Sequence, residues 1–182
     1  MVNSNNPSQP QADVLDLQFQ EAVTPADIEK LSQLAGEIWR AHYLPIIGAA
    51  QIEYMLARFQ TPKAITEHIA TGYRYYGVCQ RQDMIAYFAI RPDAAEPSVH
   101  LSKLYVAQAW QRRGVGGQIL AFLQHDCLQK GFDSIWLTVN RHNQQAIDFY
   151  TAHKFMPAGC LLQDIGAGFV MDDYKFIKTV CQ

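Results

Sequence analysis

The sequence predicts one mixed α/β domain of the α+β kind, a largely antiparallel central sheet flanked by helices. Three observations predict it. Apolar residues recur at helical spacing in four stretches, and β-branched and aromatic residues cluster in short runs between them. Taken along the chain, the segments follow the order β-α-α-β-β-β-α-β-α-β-β. Neither an internal repeat nor a linker-like stretch divides that order.

Each element has its own signal. Leu15, Leu17 and Phe19 alternate with polar residues, as in a half-buried strand. Thr24-Pro25 opens a helix: Thr24 suits the N-cap, Pro25 the first turn, and Asp27 sits where the helix dipole favours an acid. Ile28, Leu31, Leu34, Ala35 and Ile38 give this helix an apolar stripe, and Leu44-Pro45 with Gly48 are expected to break it. A second helical region runs through Ile52, Met55, Leu56 and Phe59; Thr61-Pro62 restarts it toward Ile69, and Gly72 stops it. Tyr73 to Gln80 and Met84 to Ile90 form a hairpin about the polar turn Arg81-Gln82-Asp83, and Ser98 to Val106 is a third strand. Val115, Ile119, Phe122, Leu123 and Cys127 mark an amphipathic helix ending at Gly131. Ile135 to Val139 is an apolar strand suited to a sheet interior. Asn143 caps a helix reaching His153, and strands near Phe155 to Leu162 and Phe169 to Ile177 complete the set.

Composition narrows the function classes. The 182 residues are 49% hydrophobic and 18% charged, a globular balance that can bury a core. A net charge of -2 gives no global basic field, so neither nucleic acid nor a membrane surface is the expected partner. Cysteines 79, 127, 160 and 181 make no Cys-x-x-Cys pair, so no metal site is expected and the thiols fit a reducing cytoplasm. No run approaches the roughly 20 apolar residues of a spanning helix. Residues 1–12, rich in Asn, Gln, Ser and Pro, read as a disordered tail without signal-peptide character, ahead of one domain over residues 13–182.

Any anion site must then be local, and one run supplies it. After the strand end Leu104-Tyr105-Val106 comes Gln111-Arg112-Arg113-Gly114-Val115-Gly116-Gly117, where glycines open a helix. Such a turn aims several backbone N–H groups at one spot, at the positive end of the helix dipole, and phosphate oxygens are its natural occupant. Arg112 and Arg113 add charge on the rim. On these residues alone the run is equally a tight structural turn. A P-loop would need Gly-Lys-Ser/Thr, and a dinucleotide fingerprint would need a third glycine near Ile119; both are absent.

Gln111-Arg112-Arg113-Gly114-Val115-Gly116 resembles the Gln-x-x-Gly-x-Gly acetyl-coenzyme A signature of the GNAT superfamily of N-acetyltransferases. The run from Leu137 to Tyr150 is similar to the second motif of that family, a strand followed by Asn143, Ala146 and Phe149-Tyr150. The likeness spans about Leu15 to Lys178 and is motif-level between residues 98 and 155. It implies acetyl-CoA as cosubstrate and a GNAT-like fold. Leu104, Tyr105 and Val106 would offer backbone groups to the pantetheine arm, and the segment from Gln111 to Gly117 would hold the pyrophosphate. Asn143 would bond the pantetheine region or act as a plain N-cap. A homodimer is a further partner that the family analogy allows.

The same resemblance implies direct attack of an amine on the thioester, with the protein positioning both reactants. Tyr150 matches the family tyrosine near the coenzyme sulfur and, with an ordinary pKa of about 10, can donate to the departing thiolate. Simple alternation puts Ser98, His100, Ser102, Leu104 and Val106 on one strand face. His100 stands where several relatives carry a glutamate; it is the candidate base, with a structural role as the alternative and Ser102 as a water relay. His42, His142 and His153 read as surface or cap residues. Lys154-Phe155 replaces the usual Gly-Phe after the tyrosine helix.

The acceptor side would involve His42 to Gly48, expected as a loop, and the last strand pair with Gly166-Ala167-Gly168. There Asp172-Asp173 is either an attractant for a cationic amine or a solvated strand end. A small-molecule amine, as for spermine/spermidine-type relatives, is the expected acceptor. Protein N-terminal or lysine acetylation, and a non-catalytic coenzyme A-binding sensor, are the alternatives.

Overall fold

Thr24 and Asp27 start the first helix with a reciprocal pair of bonds. In the computed structural model, which describes residues 15–180, the Thr24 hydroxyl accepts from the Asp27 amide while the Asp27 carboxylate accepts from the Thr24 amide. The tail expected over residues 1–12 lies outside the described residues, as does Cys181. Helix α1 spans Pro25–Phe59 as two helices joined across a kink at Gly48, the break expected there. The segment expected as a loop from His42 to Gly48 stays helical through Pro45, and only Gly48 leaves helical geometry, at φ 78 and ψ 161. The physical reason is exposure. Pro45 deprives the Ala41 carbonyl of its donor, but both residues face solvent, where water replaces the lost bond.

Helix α2 (Pro62–Ala70) begins on a Thr61 cap, α3 (Val115–Lys130) ends at Gly131 in the left-handed region, and α4 (Gln144–Ala152) is capped by Asn143. Among the described residues no helix is long and apolar enough to cross a membrane. Seven strands form one sheet: β1 (Leu17–Glu21), β2 (Arg74–Gln80), β3 (Asp83–Pro92), β4 (Ser98–Val106), β5 (Ser134–Asn140), β6 (Met156–Gly166) and β7 (Phe169–Thr179). Their spatial order is β1-β2-β3-β4-β5-β7-β6, antiparallel except for the β4–β5 pair. Ala167 and Gly168, both at positive φ, make the two-residue turn between β6 and β7.

Both faces of the sheet are covered. On one, Val115, Ile119, Leu120 and Leu123 of α3 pack with Tyr150 of α4 onto Phe88, Leu101, Ile135 and Leu137. On the other, Ile28, Leu31, Ala35 and Ile38 of α1 meet Ile65, Tyr75 and Tyr87. The second half of α1 packs Ile52, Met55 and Leu56 with Trp39 and Ile165, tying the β6–β7 hairpin to the helix. Each such side chain contributes about 1.5–3 kcal/mol by leaving water.

A bulge in β4 changes the expected face assignment. Ala89 pairs with Lys103 while the adjacent Ile90 pairs with Leu101, so Ser102 is an extra residue. Val99, Leu101, Leu104 and Val106 consequently all pack toward α3, whereas Tyr105 packs with the α1–α2 cluster and the Lys103 ammonium lies over Tyr75. The single face expected for Ser98, His100, Ser102, Leu104 and Val106 does not exist, because one inserted residue reverses the alternation.

Candidate active site

The parallel pair β4–β5 is joined only at Ser98↔Ser134, Val99↔Ile135 and His100↔Trp136. Past that point the strands fork. A cavity of about 570 Å³ opens between them, lined by Leu101–Val106 of β4 and by Thr138, Val139 and Asn140 of β5. Inside a sheet every peptide group normally has a neighbour. In the fork the β4 peptide groups that face β5 have none, and a flat ligand with amides could lie there as a short strand would.

The glycine-rich run sits at the mouth. Gln111 anchors it, its side-chain amide donating to the Val106 carbonyl at 3.1 Å and its oxygen accepting from Gln145 at 3.2 Å. Arg112 and Gly114 adopt positive φ, 58 and 83, which folds the loop into a concave turn. Among the described residues no backbone carbonyl takes the amide hydrogens of Arg112 to Gly117, and α3 has no side-chain cap. A methyl group added at Gly114 would meet nothing within 4 Å, so the space above the turn is open. Free N–H groups, a helix N-terminus and the Arg112 side chain give this turn the means to hold a polyanion. The other two glycines serve packing: a Cβ at Gly116 would fall 2.9 Å from the Phe149 ring, and one at Gly117 3.2 Å from His153 Nε2. They allow α3 to approach α4.

Across the fork, Asn143 and Tyr150 of the α4 segment line the same cavity. The Asn143 carbonyl oxygen caps α4 by accepting from the Ala146 amide, while its amide nitrogen lies 3.2 Å from His42 Nε2. Tyr150 is 8% exposed, and burial raises its pKa, so the phenol keeps its proton across the physiological range. Arg113 and His100 do not join the lining residues. The Arg113 guanidinium lies 5.2 Å over the Trp110 ring, and His100 stacks on Trp136 with ring centroids 3.8 Å apart. Burial, then the charges of Arg91, Lys103 and Lys175, push the His100 pKa down to about 4. Every other candidate, Leu104, Tyr105, Val106, Gln111, Arg112, Gly114, Val115, Gly116 and Gly117 among them, borders the cavity.

Beyond the fork lies a chamber walled by Trp39, Tyr43, Ile47 and Met55 of α1 and by Met171 and Asp173 of β7. Gln51 donates to the Val170 carbonyl and Tyr54 to the Ile165 carbonyl, closing the wall between helix and hairpin. His42 and His153, read from sequence as surface or cap residues, both border the cavity. His153 Nδ1 donates to the Phe149 carbonyl at 2.8 Å, which fixes the orientation of the ring. His42 is half-buried, and that burial lowers its pKa. Asp173 was legible in principle: Met171 and Asp173 share a face by two-residue alternation, and Asp172 points the other way.

Comparison with known proteins agrees with this geometry. Residues 32–155, which hold the glycine-rich run and Tyr150, match the family model described as the acetyltransferase (GNAT) family. Among solved structures the chain resembles the Paia N-acetyltransferase of Thermoplasma acidophilum in complex with coenzyme A, at 18% identity and a TM-score of 0.73, over 90% of this chain and 99% of that one. It also resembles a putative GNAT acetyltransferase of Desulfovibrio desulfuricans (20% identity, TM-score 0.69, 91% and 99% covered). A third is the ribosomal-protein-S18-alanine N-acetyltransferase of Escherichia coli (16%, 0.68, 91% and 95%). The match covers well over half of the chain, and the chain belongs to the acetyltransferase (GNAT) family, enzymes that use acetyl-CoA to acetylate amines.

Proposed function

We propose that the protein acetylates the primary amine of a small molecule, with the coenzyme lying along the fork and the acceptor in the chamber beyond it. Acetyl-CoA supplies an activated acetyl thioester. The chain's residues do the rest by position. Backbone amides from Arg112 to Gly117, with Arg112, hold the pyrophosphate; Leu104, Tyr105 and Val106 offer the pantetheine a strand edge; Asn143 fixes the start of α4 opposite. Tyr150 holds a proton at its phenol oxygen for the departing sulfur. His100 takes no part in this reading, and the proton lost by the amine passes to water.

One observation carries the choice of a small acceptor. The chamber wall is closed by the Gln51–Val170 and Tyr54–Ile165 bonds, which makes a recess of the face where an open groove would suit a peptide. A cytoplasmic setting is supported by the unpaired thiols Cys79, Cys127 and Cys160. β6 is an edge strand with Leu161 and Leu162 exposed, which supports a homodimer through that edge.

The test is Tyr150→Phe. The phenol oxygen has no hydrogen-bond partner among the described residues, so the fold loses nothing comparable to a buried bond. Turnover, followed as free-thiol release across an amine panel, falls about 100-fold, or about 2.7 kcal/mol in the barrier, while the calorimetric Kd for acetyl-CoA stays put. Undiminished turnover removes Tyr150 as the acid. Acetylated peptides with inert amines would make the enzyme a protein modifier, and binding without any thiol release would make it a sensor.

A further inference from the structure

The chamber contains a single carboxylate. Of the residues that line the cavity only Asp173 is acidic, and it is 4% exposed. Its neighbour Asp172 faces outward and pairs with Arg141 at 2.8 Å. Asp173 pairs with no Lys, Arg or His among the described residues. Burial raises its pKa, opposed by the Thr138 hydroxyl beside it. Neither Lys103 nor Arg112, which also border the cavity, pairs with it, and the Lys103 ammonium lies over Tyr75.

Its surroundings are apolar and aromatic. Trp39 and Tyr43 pack with ring centroids 4.9 Å apart, Trp39 and Tyr105 at 5.5 Å, and Ile47, Met55 and Met171 complete the walls. An unpaired carboxylate in such a place is unfavourable until a cation arrives. One ammonium satisfies it. A second or third ammonium on the same ligand would be desolvated against methionine and aromatic carbon with no counter-charge, at several kcal/mol each.

We infer that Asp173 is the anchor for the acceptor's amino group, pairing with the ammonium on entry and, once that nitrogen has given a proton to water, accepting an N–H bond from the free amine that attacks the thioester, and that the acceptor is a monoamine with an aromatic or bulky apolar body and not a polyamine. This inference rests on the small-molecule reading above and narrows it. It also divides the acidic pair by role: Asp172 holds the hairpin surface through Arg141, and Asp173 selects the ligand.

The experiment measures thiol release from acetyl-CoA by the wild type and Asp173→Asn with 2-phenylethylamine, spermidine and an alanine-starting peptide. For the wild type, kcat/KM for 2-phenylethylamine exceeds that for spermidine at least tenfold. In Asp173→Asn the KM for 2-phenylethylamine rises at least 30-fold, while the acetyl-CoA Kd and the melting temperature stay near wild type; a merely structural aspartate would move all three. A second measurement uses wild type only: 2-phenylethylamine protects the chamber at least tenfold more tightly than its neutral analogue 2-phenylethanol, read by calorimetry with coenzyme A present. Spermidine preferred, an unchanged amine KM in Asp173→Asn, or equal binding of amine and alcohol overturns the anchor and leaves the small-molecule function standing. Turnover of the peptide alone overturns both.

Discussion

Gly116 and Gly117 are neighbours in sequence, yet the structure assigns them opposite responses to the same substitution. A methyl at Gly116 would lie 2.9 Å from Phe149 Cζ and 3.1 Å from Cε2. Carbon atoms pack comfortably at about 3.5–4.0 Å, so the ring must retreat by roughly 0.5–1 Å. Behind it stand the rings of Tyr150 and His153, at 5.2 and 4.4 Å between centroids. Overpacking of this kind costs about 1–3 kcal/mol, and replacing Gly by Ala in a helix returns up to about 1 kcal/mol. Gly116→Ala should lose about 1 kcal/mol net, a fall of about 2–4 °C in Tm for a chain this long. At Gly117 the methyl meets only His153 Nε2 at 3.2 Å, a contact relieved by a few tenths of an ångström. There the helical preference wins, and Gly117→Ala should raise Tm by about 1–2 °C. Thermal unfolding reads the stability, and calorimetry reads acetyl-CoA affinity. Affinity should weaken in Gly116→Ala because the displaced Phe149 ring borders the cavity. A Tm for Gly116→Ala equal to or above that of Gly117→Ala refutes the assignment of Gly116 to the α3–α4 contact.

Three further outcomes follow from how particular groups are buried or exposed. His100 titrates near 4 in the folded chain and near 6.5 when unfolded, so between those values the unfolded state binds more protons and stability rises with pH; it is lost as pH falls through that window. His100→Phe, which keeps the stacking on Trp136, should recover roughly 2 kcal/mol of the wild type's loss between pH 7 and pH 5, and an unchanged pH slope of Tm would contradict the burial described. Cys127 is fully buried with its thiol pushed up to about 12, whereas Cys160 is exposed, so Cys160→Ser should remove one fast-reacting thiol from the native protein and Cys127→Ser none. If β6 forms a dimer edge, Leu162→Lys should halve the sedimenting mass and remove the dependence of Tm on protein concentration, and a monomeric wild type would dismiss that edge.

Much of this was legible before any coordinates. Thr24, Pro25 and Asp27 began α1, Gly131 ended α3 and Asn143 capped α4, because caps depend on chemistry within a few residues. The glycine-rich run was legible as a local turn able to face an anion, and Tyr150 was named only through the resemblance to the GNAT family. What escaped depends on partners distant in sequence. The bulge at Ser102 is visible only against β3, so the alternation carried His100 toward the site when it lies on Trp136. Pro45 looked like a helix end because its tolerance depends on which face meets water. The segments holding His42 and Asp173 were named for the acceptor side, but that these two side chains border one cavity depends on α1 and β7 sharing a wall.

The fork in the sheet has a thermodynamic consequence. β4 is an interior strand by position, but past His100 its β5-facing peptide groups have no strand beside them. In the free enzyme those amides should exchange with solvent as an edge strand's do, while the amides of the alternate β4 residues, which face β3, remain protected. On the proposed reading, a coenzyme seated there would act as the missing neighbour. Its binding free energy is then added to the stability of the fold, as RT ln(1 + [L]/Kd), about 2.7 kcal/mol at one hundred times Kd. With the coenzyme so placed, the centre of the sheet, normally its most rigid part, would be where the supply of cosubstrate adds to this protein's stability.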